Sequence, residues 1–280
     1  MTRIFLDSAD PEETKQALRL LGRLDGQTTN PSLIAKNPQA VGKKFTKEEV
    51  YAFYKTKVQA ISQLIPDGSV SVEVYADIQT PLEQILNQAR EMNTWIPNAH
   101  IKLPIIPNGL KAAELLVKVG IRVNLTLCFT QAQAAAVYAA TKGAKKGDVF
   151  VSPFIGRLDD KGLNGLDLIK NCVEMFKNSD GHVEVLAASV RNLQHHLKCL
   201  ELEADILTSP LQVINAWQAK QPPEPVPSLQ PIAYEKLDLN QPWQKFNIRH
   251  ELTDAGLEKF CADLNGMVDS AGLEPATSSM

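Results

Sequence analysis

The 280 residues suffice for one large domain, and 44% hydrophobic with 22% charged side chains is the make-up of an ordinary globular protein. A net charge of −3 gives no bulk attraction to nucleic acid or an acidic membrane, so an anionic ligand must be held by local positive groups. No apolar run approaches a membrane span, and MTRIFLDSAD enters folded-type sequence without the regions of a signal peptide.

In chain order, β-rich runs at 3–7, 26–30, 70–75, 99–103, 121–127, 148–152, 183–189 and 204–209 alternate with amphipathic stretches. The stretches begin with PEETKQALRLL and KEEVYAFYKTKVQAISQLI and end with NLQHHLKCLELE and PLQVINAWQAK. Strands separated by helices and short turns predict a parallel sheet with helices outside it. Eight such units over residues 1–220 fit an α/β fold of the (β/α)8 TIM-type barrel class better than an open sheet. No glycine-rich phosphate motif follows any strand, which argues against a nucleotide-binding fold. QPPEPVPSLQP (221–231) reads as an extended connector, and TDAGLEKFCADLNGMV (253–268) as a terminal helix starting at Thr253. SAGLEPATSSM reads as a frayed tail, so 221–280 is a helical extension of the same domain. The lysines between Lys36 and Lys57 read as a solvated face. Cys128, Cys172, Cys199 and Cys261 are widely spaced, which predicts free thiols in a reducing, cytoplasmic setting; no Cys/His spacing suggests a metal site.

Period-two alternation sorts each strand into faces. Ala99, Ile101 and Leu103 share one face and leave His100 and Lys102 on the other. The same rule separates Val70, Val72 and Val74 from Ser71 and Glu73, and Ile121, Val123 and Leu125 from Arg122, Asn124 and Thr126. If the apolar faces meet the outer helices, the mixed faces point into the barrel. Asp7, Asn30, Glu73, Lys102, Thr126 and Ser152 then converge at the C-terminal strand ends, where barrel enzymes carry their chemistry. The seventh strand does not alternate cleanly, and Ser189 is not placed by this rule.

Lys102 is the sharpest of these residues. Desolvation on an apolar strand disfavours the ammonium and favours the free amine that a Schiff base needs. A buried ion pair with Asp7 or Glu73 would do the opposite, and the residues alone leave both readings open. His100 reads as a hydrogen-bonded core histidine. Arg157, Ser189 and Arg191 lie after strands six and seven, where two guanidiniums and a hydroxyl can meet a phosphate.

These segments resemble the transaldolase family, which includes the fructose-6-phosphate aldolases. The matching stretches are FLDSAD, TTNPSLIAKNP, HIKLP, NLTLCFTQAQA, VSPFIGRLDDKG and LAASVRN, in one order along the chain. The resemblance implies that Lys102 forms a Schiff base with a ketose and that Asp7 takes the proton from the C4 hydroxyl. Asn30 and Asn124 would hold the dihydroxyacetone enamine, and Glu73 and Thr126 a proton-relaying water. Ser152 and Phe154 would shape the pocket, and Arg157, Ser189 and Arg191 would clamp the phosphate. It implies sugar-phosphate substrates and neither metal nor organic cofactor. Family aldolases carry Gln and Tyr where Glu73 and Phe154 stand, so this pair resembles the transferases. An aldolase, or a silent sugar-phosphate-binding barrel, are the competing expectations. A homo-oligomer is possible, with the terminal helix over its own barrel mouth or a neighbour's.

Overall fold

Val70, Val72, Val123, Val149, Val151, Val183 and Val185 are buried, as expected for β-branched strands covered by helices on one side and barrel interior on the other. The computed structural model describes residues 1–225 and 228–269. Its strands are β1 Arg3–Asp7, β2 Gly26–Thr28, β3 Ser69–Glu73, β4 Ala99–Pro104, β5 Val123–Cys128, β6 Val149–Pro153, β7 Val183–Ala187 and β8 Ile206–Ser209. They pair in sequence order, all parallel, and β8 closes on β1 with Phe5 opposite Thr208. The chain therefore folds as a (β/α)8 barrel.

The helices are α1 Pro11–Leu21, α2 Pro31–Ala35, α3 Lys47–Leu64, α4 Leu82–Asn93, α5 Pro107–Lys118 and α6 Gln131–Ala140. After β6 come α7 Ile155–Asp159, α8 Gly165–Phe176, α9 Leu193–Glu201, α10 Leu211–Gln218 and α11 Glu251–Asn265. Two of these, α2 and α7, fall in stretches that the periodicity leaves as loops, because five residues are too few to show a 3.6-residue period. Caps define them instead: Asn30 ends its strand early and accepts from Leu33 N–H through Oδ1 at 2.9 Å. The seventh strand likewise stops at Ala187, and Ser189 turns into the left-handed region at φ 56°.

The barrel interior is layered. At the N-terminal end Arg3 pairs with Glu184 at 2.7 Å and lies 5.3 Å over the Phe150 ring. In the middle, His100 stacks on Phe150 at 4.0 Å and Phe5 meets Phe150 edge-on at 6.1 Å. Gly26 makes room for this layer, since a Cβ there would sit 2.5 Å from the Phe5 ring. His100 is a core residue: it contacts Ser69 Oγ at 2.7 Å and Gly147 O at 2.8 Å, and burial pushes its pKa down to about 3.

After α10 the connector returns along the outside. Asn164 N–H donates to Gln230 O, Ile232 N–H to Asp167, and Glu235 N–H to Gln131. The final helix starts at Glu251 rather than Thr253, because His250 Nδ1 accepts from Leu252 N–H as its cap. Thr253 is buried instead: its hydroxyl donates to Leu127 O at 2.9 Å and accepts from Gln133 Nε2 at 2.9 Å. Met267 O accepts from Phe45 N–H, which ties the chain beyond α11 to the loop before α3. The segment SAGLEPATSSM (270–280), expected to fray, lies outside the described residues, as do 226 and 227 of the connector.

Among the described residues no helix is long and apolar enough to cross a membrane. The four cysteines are free, and burial pushes Cys128 and Cys199 up to about 12. The lysine stretch is not uniformly solvated. Lys57 is buried, donating to Gln39 Oε1 at 2.6 Å and lying 4.9 Å over the Phe53 ring.

Candidate active site

The C-terminal strand ends open into a cavity of about 240 Å³. Asp7, Lys102 and Ser152 line it from three strands and Asn30 from the cap of α2, with Phe154 and Arg157 from the start of α7 and Ser189 from the loop beyond β7. A larger depression of about 840 Å³ opens at the N-terminal end between Arg3, Arg23, Asp25 and Glu184. The C-terminal cavity is the candidate site because it alone of the two holds a buried lysine beside carboxylates.

Lys102 is opposite Glu73 in the β3–β4 register, so both side chains point inward at one level. Lys102 Nζ lies 2.9 Å from Glu73 Oε2, with side-chain exposures of 5% and 2%. Of the two readings open from sequence, the ion pair is the one that this geometry displays. The contact is ionic rather than a well-angled hydrogen bond, and Glu73 Oε2 has no hydrogen-bond partner among the described residues. Burial raises the Glu73 pKa, and the nearby ammonium only partly offsets it. The backbone that carries Glu73 is fixed from outside the barrel: its N–H donates to Tyr54 Oη on α3 at 2.8 Å. Thr29 spends its hydroxyl proton on Ser71 O at 2.7 Å, so Tyr54 donates to Thr29 Oγ1.

Asp7, across the barrel mouth, also has a raised pKa from burial, against the pull of Lys102 and a hydrogen bond from Thr28. Thr28 Oγ1 donates to Asp7 Oδ1 at 2.7 Å, so the 2.6 Å contact with Thr208 Oγ1 must be donated by Thr208. Two threonines from β2 and β8 thus aim one carboxylate.

Asn124 is fully buried, accepts from Ser152 Oγ at 2.6 Å and donates to Ser71 Oγ at 3.0 Å. Its amide orientation is set by strands on both sides. Thr126 follows on the same face of β5, and its buried hydroxyl has no hydrogen-bond partner among the described residues. Glu73, Asn124 and Thr126 stand behind Lys102 rather than on the cavity wall.

The two arginines differ. Arg157 lies on the wall, 5.5 Å from the Phe154 ring centre and 5.4 Å from that of Phe260. Arg191 is half-exposed, off the wall, and held in a two-pronged pair with Asp160 whose Nη2–Oδ2 arm is 2.6 Å. Gly156 sits against it, as a Cβ there would be 2.4 Å from Arg191 Nε.

Several wall residues were not singled out from sequence. Thr28 follows from the same alternation that marks Asn30, but its strand is too short to show a pattern. Lys36 and Lys259 also reach the mouth. Phe260 comes from α11 of the same chain and lies 5.9 Å from Lys102 Nζ, so this helix covers its own barrel. Ser32 on α2 bonds Asp263 on α11 and holds it there.

Residues 4–271 match the model of a family described as Transaldolase/Fructose-6-phosphate aldolase. A probable transaldolase of Dehalococcoides mccartyi is 37% identical over 261 residues, which is 93% of this chain and 97% of that protein. A probable transaldolase of Cytophaga hutchinsonii is 38% identical over the same shares. One from Clostridium botulinum is 37% identical over 265 residues, 95% of this chain and 99% of its own.

Proposed function

The chain belongs to the Transaldolase/Fructose-6-phosphate aldolase family, and from that premise we propose that it is a transaldolase working through a Schiff base on Lys102. The donors would be fructose 6-phosphate or sedoheptulose 7-phosphate, the acceptors aldose phosphates, and the setting the cytoplasmic pentose phosphate pathway. The observation that carries this reading is the buried Lys102–Glu73 pair in a mouth that also holds Asp7 and Arg157.

In this mechanism Lys102 passes a proton to Glu73, whose burial-raised pKa suits it to receive one. The free amine adds to the ketose C2 carbonyl, and loss of water leaves an iminium. Thr126 Oγ1 and Glu73 Oε2, both without hydrogen-bond partners among the described residues, suit the water that shuttles these protons. Asp7 then removes the C4 hydroxyl proton, the C3–C4 bond breaks, and its electron pair enters the iminium to give an enamine. The aldose phosphate leaves. Asn30 and Asn124 hold the three-carbon enamine, with Ser152 fixing Asn124. An acceptor aldehyde adds by the reverse steps. Arg157 and Ser189 face the phosphate end, and Arg191 joins them from its pair with Asp160.

Borohydride reduction in the presence of fructose 6-phosphate tests the reading directly. A dihydroxyacetone-derived adduct mapped by mass to Lys102 is expected; reduction that leaves Lys102 unmodified would overturn it.

A further inference from the structure

A half-buried guanidinium usually rests on a carboxylate. Among the described residues none lies within ion-pair distance of Arg157, and it donates no hydrogen bond, in contrast to Arg191 with its Asp160. Glu73, Asp160 and Asp263 act on it only from beyond ion-pair distance; what packs directly on Arg157 is the rings of Phe154 and Phe260 and the backbone of α11 at Gly256.

Gly256 lies buried inside a regular helix and its φ is not positive, so no backbone conformation requires a glycine there. Glycine weakens a helix interior, which calls for another reason. The reason is contact. A Cβ at 256 would sit 2.5 Å from Arg157 Nη1 and 2.6 Å from Leu127 Cδ2. The Leu127 backbone is fixed, at φ 60° where the β5–β6 register shifts and with its carbonyl held by Thr253 at 2.9 Å, so relief there is confined to its Cδ atoms and does nothing for the 2.5 Å contact with Arg157. The free end of Arg157 is the part that moves.

We propose that Gly256 is a positioning residue for phosphate recognition: lacking a Cβ, it lets α11 lie against Arg157 and aims the guanidinium into the mouth. The aromatic clamp restrains the head without using its donors, which leaves them for the anionic end of the sugar. The terminal helix is thereby part of the machinery that selects phosphorylated substrates. This rests on the reading of Arg157 as a phosphate ligand given above.

The test compares Gly256→Ala, Arg157→Ala and the unaltered full chain. Each is assayed for transfer from fructose 6-phosphate and from unphosphorylated fructose, for competitive inhibition by inorganic phosphate, and for its thermal midpoint. For Gly256→Ala the melt should change little, because the helix preference of alanine offsets the repacking that the contact with Leu127 forces. Its KM for fructose 6-phosphate and its phosphate inhibition constant should each rise about tenfold, the equivalent of one charge-assisted hydrogen bond. Its kcat, and its kcat/KM for fructose, should stay the same. An unchanged KM for fructose 6-phosphate, an equal loss with fructose, or a variant too unstable to assay would each overturn the proposal. If Arg157→Ala leaves phosphate inhibition unaltered, the phosphate reading itself fails. If Arg157→Ala weakens inhibition and Gly256→Ala does not, only the role of Gly256 falls.

Discussion

Thr28→Val keeps the shape of its side chain and removes one proton donor, which isolates the threonine pair that aims Asp7. In the native protein burial raises the Asp7 pKa while Lys102 and Thr28 pull it down. Losing the 2.7 Å bond from Thr28 removes a lowering influence, so the pKa moves further up. A hydrogen bond to a charged acceptor contributes about 1.5–3 kcal/mol. An influence of that size is large enough to be read in a pH–rate profile. With Asp7 as the base for the C4 hydroxyl, protonation abolishes C–C cleavage, and activity falls as pH drops through that pKa. The acidic limb of kcat/KM for transfer from fructose 6-phosphate should therefore move to higher pH in Thr28→Val. The variant also leaves Thr208 Oγ1 buried without its partner, a stability cost of about 1–3 kcal/mol visible in urea unfolding. An acidic limb that stays in place in a folded variant would refute the assignment of Asp7 as the base, or the role of Thr28 in setting it.

Lys102→Ala should abolish transfer while circular dichroism and the melt still report a folded barrel; retained turnover would make the lysine structural. Asp7→Asn should stabilise the protein at neutral pH. A carboxyl whose folded pKa is raised contributes stability below its unfolded pKa and loses it as pH rises through the folded one. The gain in melting temperature should accordingly be present near pH 7 and vanish at pH 3, and an equal gain at both would point to packing instead. Phe154→Tyr places a hydroxyl on the mouth wall, where it can hold water near the enamine. Release of free dihydroxyacetone without an acceptor should increase, and no increase would remove the reason for ranking transfer above cleavage.

The parts of this fold that were legible in the sequence are those whose oddness is local. A lysine between Ile101 and Leu103, or an asparagine between Val123 and Leu125, is anomalous within five residues, and strand alternation converts the anomaly into a direction. The same rule puts Glu73 on the inward face of its strand, but that it stands opposite Lys102 is set by the β3–β4 register, which alternation does not carry. It fails where a strand has three residues, as at Thr28, and where the chain leaves the extended region, as at Ser189.

Other features are defined by residues far away in the chain, and no pattern near them carries the signal. Arg157 and Arg191 read alike as sequence, yet Asp160 neutralises one while two rings and a helix backbone enclose the other. Thr253 looks like a helix start because threonine caps helices. Its hydroxyl instead serves Leu127, more than a hundred residues earlier, and His250 takes over the cap. Gly256 is the extreme case, since a glycine inside an otherwise regular helix reads only as a weakness. Its meaning emerges when the last helix is laid over β5 and α7, because the atom it lacks is the one that would collide with Arg157. The terminal helix thus connects the two halves of the site: Phe260 closes over Lys102, and one turn earlier the bare backbone of Gly256 leaves space for Arg157.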